Sequence, residues 1–253
     1  MQQDIIARLG VKPVIDVEEE IRKRVDFLKQ YIVQSRVTGL LIAISGGIDS
    51  AVATGLCKMA TDELSQETGR DYITLGVFQP YGTQKDIADS YSVAEAFKLT
   101  HKVETNIEEA VDEIATEVEY AYKSLGKSRH ISKEGKGNVK ARTRMVVQYA
   151  LAFDLNLLVV GTDHASEAIT GFFTKYGDGA VDITPLSSLN KRQVRQLASK
   201  LGVPQPILDK APTADLWDGQ TDEGELGITY GDNSNYLEGK EIDPAVREKL
   251  EKQ

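Results

Sequence analysis

The stretch Leu40-Leu41-Ile42-Ala43-Ile44-Ser45-Gly46-Gly47-Ile48-Asp49-Ser50 constrains this chain more than any other. Its apolar start reads as a buried strand. Ser45, Gly46 and Gly47 turn the chain, and Ala51-Val52-Ala53 opens an apolar helical pattern. Strand, Gly-rich turn and helix N-terminus together present free backbone N–H groups at the positive end of a helix dipole, a ready site for phosphate. Glycine lets the backbone approach an anion with no Cβ in the way. Ser45 and Ser50 add hydroxyl donors. Asp49 would repel bare phosphate, so its presence points to a divalent cation between the two. The loop has no Lys after its glycines, unlike G-x-x-x-x-G-K-[ST], and it is not G-x-G-x-x-G. The competing reading is a turn whose Ser and Asp merely cap the helix.

Strand-like and helix-like stretches alternate along the chain. Val17 to Arg36 carries a helical stripe of Val17, Ile21, Val25, Leu28 and Ile32, and 40–44 is the first strand. The next helix runs to about Ala60, with Thr61 to Asp71 polar and loop-like. Tyr72 to Phe78 is the second strand. A helix capped by Thr83 or Asp86 carries Ile87, Tyr91, Ala94 and Phe97. His101 to Thr105 is a short strand, and Ile107, Val111, Ile114, Val118 and Tyr122 mark another helical stripe. Ser124 to Gly137 reads as a mobile basic loop, and Asn138 caps a helix to about Phe153. Asn156 to Val160 is continuously apolar after its first residue, as a central parallel strand should be. Asn190 to Leu201 is a helix with Val194, Leu197 and Leu201 inward and Lys191, Arg192 and Arg195 outward. Pro204, Pro206 and Pro212 exclude regular structure up to Asp215. Asp215 to Gly227 reads as an acidic lid, and helices at about 232–239 and 243–252 follow. The order predicts an α/β fold: a doubly wound, mostly parallel sheet flanked by helices. Ligands on such sheets bind beyond the C-terminal ends of the strands. Three turns lie at that edge: 45–50, the one after Phe78, and Gly161-Thr162-Asp163-His164.

At 253 residues the chain is expected to form a single domain, 1–253, of ordinary globular composition, 41% hydrophobic and 27% charged. A net charge of −9 argues against a nucleic-acid partner. The lone Cys57 excludes an intrachain disulfide and reads as a core residue. Met1 to Gly10 holds no long apolar run, and no stretch approaches a membrane span, so a cytoplasmic protein with no membrane partner is expected.

Other stretches carry chemistry. Gly137 to Arg144 places basic residues at an expected helix start, where they oppose the dipole unless an anion neutralises them. In Gly161 to Glu167, two acids and a His at a strand end either hold a metal or cap a helix; Glu167 beside a triphosphate calls for a cation, as Asp49 does. Gly171 to Gly179 joins aromatics, Lys175 and turn glycines, a combination suited to stacking on a flat ring. Lys191 and Arg192 at a helix start are phosphate-contact candidates.

Taken together these stretches resemble the ammonia-dependent NAD synthetases, of the N-type ATP pyrophosphatase superfamily with its adenine nucleotide alpha-hydrolase-like fold. The resemblance rests on SGGIDS at 45–50, GTQ at 82–84, KGNVKARTRM at 136–145, GTDHASEAITGFFTKYGDG at 161–179, LNKRQ at 189–193, APTADL at 211–216 and LGITYGDNSNYLEGK at 226–240. It implies ATP-dependent amidation of deamido-NAD with ammonia to give NAD, AMP and pyrophosphate through an adenylated intermediate, with Mg2+ as the metal. It implies ATP contacts from Ala43, Ile44, Ser45, Gly46, Gly47, Ile48, Asp49 and Ser50, and from Gln84, Thr162, Lys191 and Thr213. Asp49 and Glu167 become magnesium ligands, Arg142, Lys175 and Asp182 the deamido-NAD contacts, and Asp49, Glu167 and Lys175 the catalytic set. A homodimer with the dinucleotide site at its interface is implied too. No N-terminal glutaminase domain is expected, so free ammonia is the nitrogen donor. The chain departs from the family pattern in a shorter loop at 217–224 and in lacking the His-Lys pair that usually follows its last residue.

Overall fold

Near-continuous burial along the central β-strands sets the frame. The computed structural model describes residues 1–84, 86–213 and 221–252. In chain order the elements are α1 (Gln2–Leu9), α2 (Val17–Ser35), β1 (Gly39–Ala43), α3 (Ile48–Thr68), β2 (Ile73–Phe78), α4 (Ile87–Ala96), β3 (His101–Glu104) and α5 (Glu108–Ser124). Then come α6 (Lys133–Leu155), β4 (Leu157–Val160), α7 (Ala165–Ala168), α8 (Lys191–Leu201), α9 (Gln205–Asp209), α10 (Asp222–Leu226), α11 (Tyr230–Leu237) and α12 (Pro244–Glu251). The strands form one parallel sheet in the order β3-β2-β1-β4. Successive side chains point to opposite faces. Leu40 and Ile42 therefore enter the core under α2, α3 and α8, while Leu41 joins Leu75, Val77, Val159 and Ala152 of α6 on the other face. A sheet covered on both faces explains the continuous apolar runs.

The strand order decides where a ligand can sit. From β1 the chain winds outward through β2 and β3, then returns to place β4 on β1's other side. The connections after β1 and β4 thus leave in opposite directions, and a crevice opens between them.

Several boundaries differ from the sequence-based expectation. α3 continues to Thr68 because its polar end still packs. Thr61, Ser65 and Thr68 return their hydroxyls to carbonyls four residues back, and Thr61 Oγ1 lies 2.8 Å from Thr74 Oγ1 on β2. α6 starts at Lys133, inside the expected loop, where the Ser132 hydroxyl accepts from Gly135 N at 3.0 Å. α9 forms despite its prolines, because Pro204 and Pro206 sit at the N-cap and first turn, where no intrahelical N–H is needed. α1 was not anticipated; its Ile6 packs in a separate cluster with Tyr236, Leu237 and Ile169. α10 falls within the expected acidic lid, and residues 214–220 of that stretch lie outside the described residues. Ile107 and Val111 are buried as expected, but Ile114 stays 44% exposed.

Candidate active site

β1 delivers the chain to the loop at Ala43, and α3 begins at Ile48. Gly46 has φ +79°, and a Cβ there would come within 2.9 Å of the Asp89 Cβ, so this position requires glycine. Ser50 Oγ donates to Gly47 O at 2.9 Å and lies 3.2 Å from Ser45 Oγ. The two hydroxyls therefore brace the loop. Gly47 caps α3 without a side-chain hydrogen bond, which leaves the first-turn N–H groups open to a ligand.

A cavity of about 420 Å³ opens at the C-terminal ends of β1, β2 and β4. Ala43, Ile44, Ser45, Gly47, Ile48, Asp49 and Ser50 line one side of it. Gln84, Thr162, Glu167, Lys191 and Thr213 also line it, from stretches far apart in the chain.

At its floor four side chains converge. Lys191 is 2% exposed and its Nζ donates to Asp49 Oδ2 at 2.7 Å, so this lysine points inward, contrary to the expected outward face of α8. α8 is held in that setting by a capping box between Asn190 and Gln193 and by the Ser166 hydroxyl, which accepts from Lys191 N at 3.1 Å. His164 Nε2 lies 3.3 Å from Asp49 Oδ1 and 3.6 Å from Glu167 Oε1. His164 and Glu167 form a second capping box at α7. The Tyr230 ring covers Lys191 at 4.8 Å, and its hydroxyl donates to Asp222 at 2.9 Å.

Burial raises the Asp49 carboxyl, but Lys191 and His164 together, by charge and by hydrogen bonding, outweigh it and hold the group well below the usual carboxylate range. Burial and the neighbouring Asp49 charge push Glu167 well up. Burial, then Lys191, lowers His164. The half-buried Asp163 is pushed up to about 7 by burial, with Asp178 and Asp49 adding to it. Asp49, His164 and Glu167 place one ligand atom each within 4.8 Å of one another. Asp49 Oδ1 is buried without a hydrogen-bond partner among the described residues. An orphaned carboxylate oxygen beside a second carboxylate fits a hard divalent cation such as magnesium.

The family described as NAD synthase matches residues 20–253. The chain belongs to the NAD synthase family. It is 48% identical over 256 residues to an NH3-dependent NAD+ synthetase of Exiguobacterium sibiricum, covering 100% of this chain and 93% of the relative. A relative of the same description from Limosilactobacillus fermentum is 46% identical, covering 99% and 91%. Among solved structures, the NAD+ synthetase of Burkholderia pseudomallei superposes with a TM-score of 0.85 at 34% identity, covering 99% of this chain and 92% of that one. An NMN synthetase from Francisella tularensis superposes with a TM-score of 0.79 at 35% identity, covering 94% and 92%.

Within this NAD synthase fold the expected dinucleotide residues sit apart from the cavity floor. Arg142 Nε donates to Lys175 O at 3.2 Å, so these two meet on an exposed face. Asp182 accepts from Val159 N at 2.7 Å and from Tyr149 Oη at 3.1 Å, bonds that anchor it to β4 and α6. Lys140, Arg142 and Arg144 lie in the body of α6, so the helix-start argument for an anion does not apply to them. Lys140 instead stands over the Tyr81 ring at 4.0 Å. The sequence reading missed a clasp in the cavity wall: Gln79 and Arg144 exchange bonds of 3.1 Å, and Gln148 donates to Gln79 Oε1 at 2.7 Å. Its signal was Arg144 and Gln148 at i, i+4 on one helix face, opposite the residue that follows the second strand. Residues 214–216 of the APTADL stretch lie outside the described residues.

Proposed function

We propose that this chain amidates deamido-NAD with ammonia in an ATP-dependent reaction, giving NAD, AMP and pyrophosphate. The observation that carries the reading is the meeting of Asp49, Glu167 and Lys191 beside the open amides of α3. A carboxylate is a poor acyl donor and must be activated. The nicotinate carboxylate oxygen attacks the α-phosphorus of ATP, and pyrophosphate leaves. Ammonia then attacks the carbonyl carbon of the mixed anhydride, AMP leaves with the bond electrons, and the nitrogen loses a proton.

The 43–50 backbone, Thr162, Lys191 and Thr213 hold the ATP, with Gln84 beside the base. Lys191 offers its charge to the phosphates, where a preorganised cation stabilises the departing pyrophosphate. Asp49 and Glu167 would hold magnesium, which supplies further positive charge to the phosphate oxygens when bound. Arg142, Lys175 and Asp182 take deamido-NAD at the exposed face, and Lys175 joins Asp49 and Glu167 in the catalytic set.

A homodimer completes that face in this reading. Val146 (59% exposed), Phe153 (87%) and Leu155 (47%) of α6, with Ile114 of α5, leave an apolar surface uncovered. Relatives described as NH3-dependent support free ammonia as the nitrogen donor. No helix among the described residues is long and apolar enough to cross a membrane, and a reaction drawing on ATP fits the cytoplasm.

The test is release of AMP and pyrophosphate with ATP, magnesium and ammonia, run separately with deamido-NAD, nicotinate mononucleotide and xanthosine monophosphate. Turnover with deamido-NAD, at kcat/KM well above the other two, is expected. Preference for either mononucleotide overturns the substrate assignment.

A further inference from the structure

His164 is 1% exposed and stands at the N-cap of α7, between the two carboxylates. Judged by position alone it completes a three-residue metal site with Asp49 and Glu167. Its hydrogen bonds argue otherwise. Nδ1 lies 3.3 Å from Glu167 N and accepts from it. A backbone N–H can only donate, so Nδ1 presents a lone pair and carries no proton. In a neutral imidazole the proton is then on Nε2. Nε2 faces Asp49 Oδ1 at 3.3 Å and Glu167 Oε1 at 3.6 Å. Lys191 Nζ, which can only donate, stands 3.3 Å from Nε2 and 2.7 Å from Asp49 Oδ2, so its shorter contact is to the carboxylate. The Tyr230 ring meets the imidazole edge-on, with centroids 6.2 Å apart.

We propose that His164 is a positioning residue, not a ligand: its Nε2–H sits between the facing oxygens of Asp49 and Glu167 and sets their spacing for the cation. Second-layer partners of this kind orient ligating carboxylates and typically change metal affinity by about 10–100-fold when removed. The inference rests on the reading of Asp49 and Glu167 as the cation's holders.

Two substitutions separate positioning from helix capping. His164→Asn keeps an acceptor where Nδ1 caps Glu167 N and loses the donor that reaches the carboxylates. His164→Gln keeps a donor near the Nε2 position and loses the cap. The probe is Mn2+ with ATP, followed by electron paramagnetic resonance on protein labelled with 15N-histidine, alongside the melting temperature of each variant. Expected are no 15N coupling from a coordinated imidazole, about tenfold weaker Mn2+ binding in His164→Asn at nearly unchanged melting temperature, and near-normal Mn2+ binding in His164→Gln at a lower one. A directly coordinated histidine nitrogen overturns the proposal, as does unchanged Mn2+ affinity in His164→Asn while Asp49→Asn abolishes it. Should Asp49→Asn bind Mn2+ like the parent, the cation site itself is misassigned and both readings fall.

Discussion

Lys191 Nζ donates to Asp49 Oδ2 at 2.7 Å, joining the first turns of two helices 142 residues apart in sequence. The pair ties α8 to the nucleotide loop and places a positive charge where phosphate oxygens would lie. Removing one partner of a buried pair leaves the other charge uncompensated and costs about 3–5 kcal/mol. Lys191→Ala is therefore expected to lower the melting temperature by roughly 6–20 °C and to weaken ATP binding. Calorimetry with and without ATP checks both. An unchanged melting temperature would remove the pair from the fold's stability.

Asp49→Asn should behave differently. The Glu167 carboxyl, raised by burial and by the Asp49 charge, is free to ionise as the counter-ion of Lys191 once that charge is gone. Turnover is expected to fall by about 100-fold or more, as when a group stabilising developing charge is lost, with a melting temperature close to that of the parent. Steady-state pyrophosphate release and a thermal melt on the same sample decide it; normal turnover would exclude Asp49 from the chemistry.

Asp163 makes the fold's stability depend on pH. Its folded-state value, about 7, lies above the ordinary one because of burial first and then Asp178 and Asp49. The folded protein thus holds a proton that the unfolded chain releases. Its contribution is complete below about pH 4 and is lost as pH rises from there through 7. Urea unfolding at pH 5 and pH 8 should show the parent weakened at the higher pH and the difference reduced in Asp163→Asn. An identical pH difference in both proteins would mean that the carboxyl is not perturbed.

Arg142→Ala tests the exposed face. Its guanidinium meets the Lys175 carbonyl and remains open to solvent. A lost charge-assisted contact is worth about 1.5–3 kcal/mol, so KM for deamido-NAD should rise about tenfold or more while KM for ATP moves less than about twofold. Equal changes in both would detach Arg142 from the dinucleotide.

Phe153→Glu tests the uncovered surface of α6. A charge placed where Phe153 is 87% exposed should leave the fold intact and separate a dimer into monomers in sedimentation velocity. Sedimentation as a dimer after the substitution would locate the contact elsewhere.

Much was legible from the chain alone because it is local. The apolar run of 40–44, Gly46 with φ +79° and the helix after it are specified by neighbouring residues, so the phosphate-type turn could be read directly. The parallel sheet followed from strands alternating with helices. Periodicity failed where long-range packing extended a helix, as at Thr61 to Thr68, or where an end was set by a single capping hydroxyl, as at Ser132.

The sequence by itself determined the anion-binding turn, the α/β architecture and the identity of the charged groups available to it. Tertiary structure alone decided which of those charges meet. Only the reversal of strand order at β1 and β4 carries His164 and Glu167 to Asp49, and only the setting of α8 turns Lys191 into the cavity while the Asp182 carboxylate is taken up by β4. The reason is physical: a side chain's partner and degree of hydration depend on which distant segments pack around it, and local spacing holds no record of that.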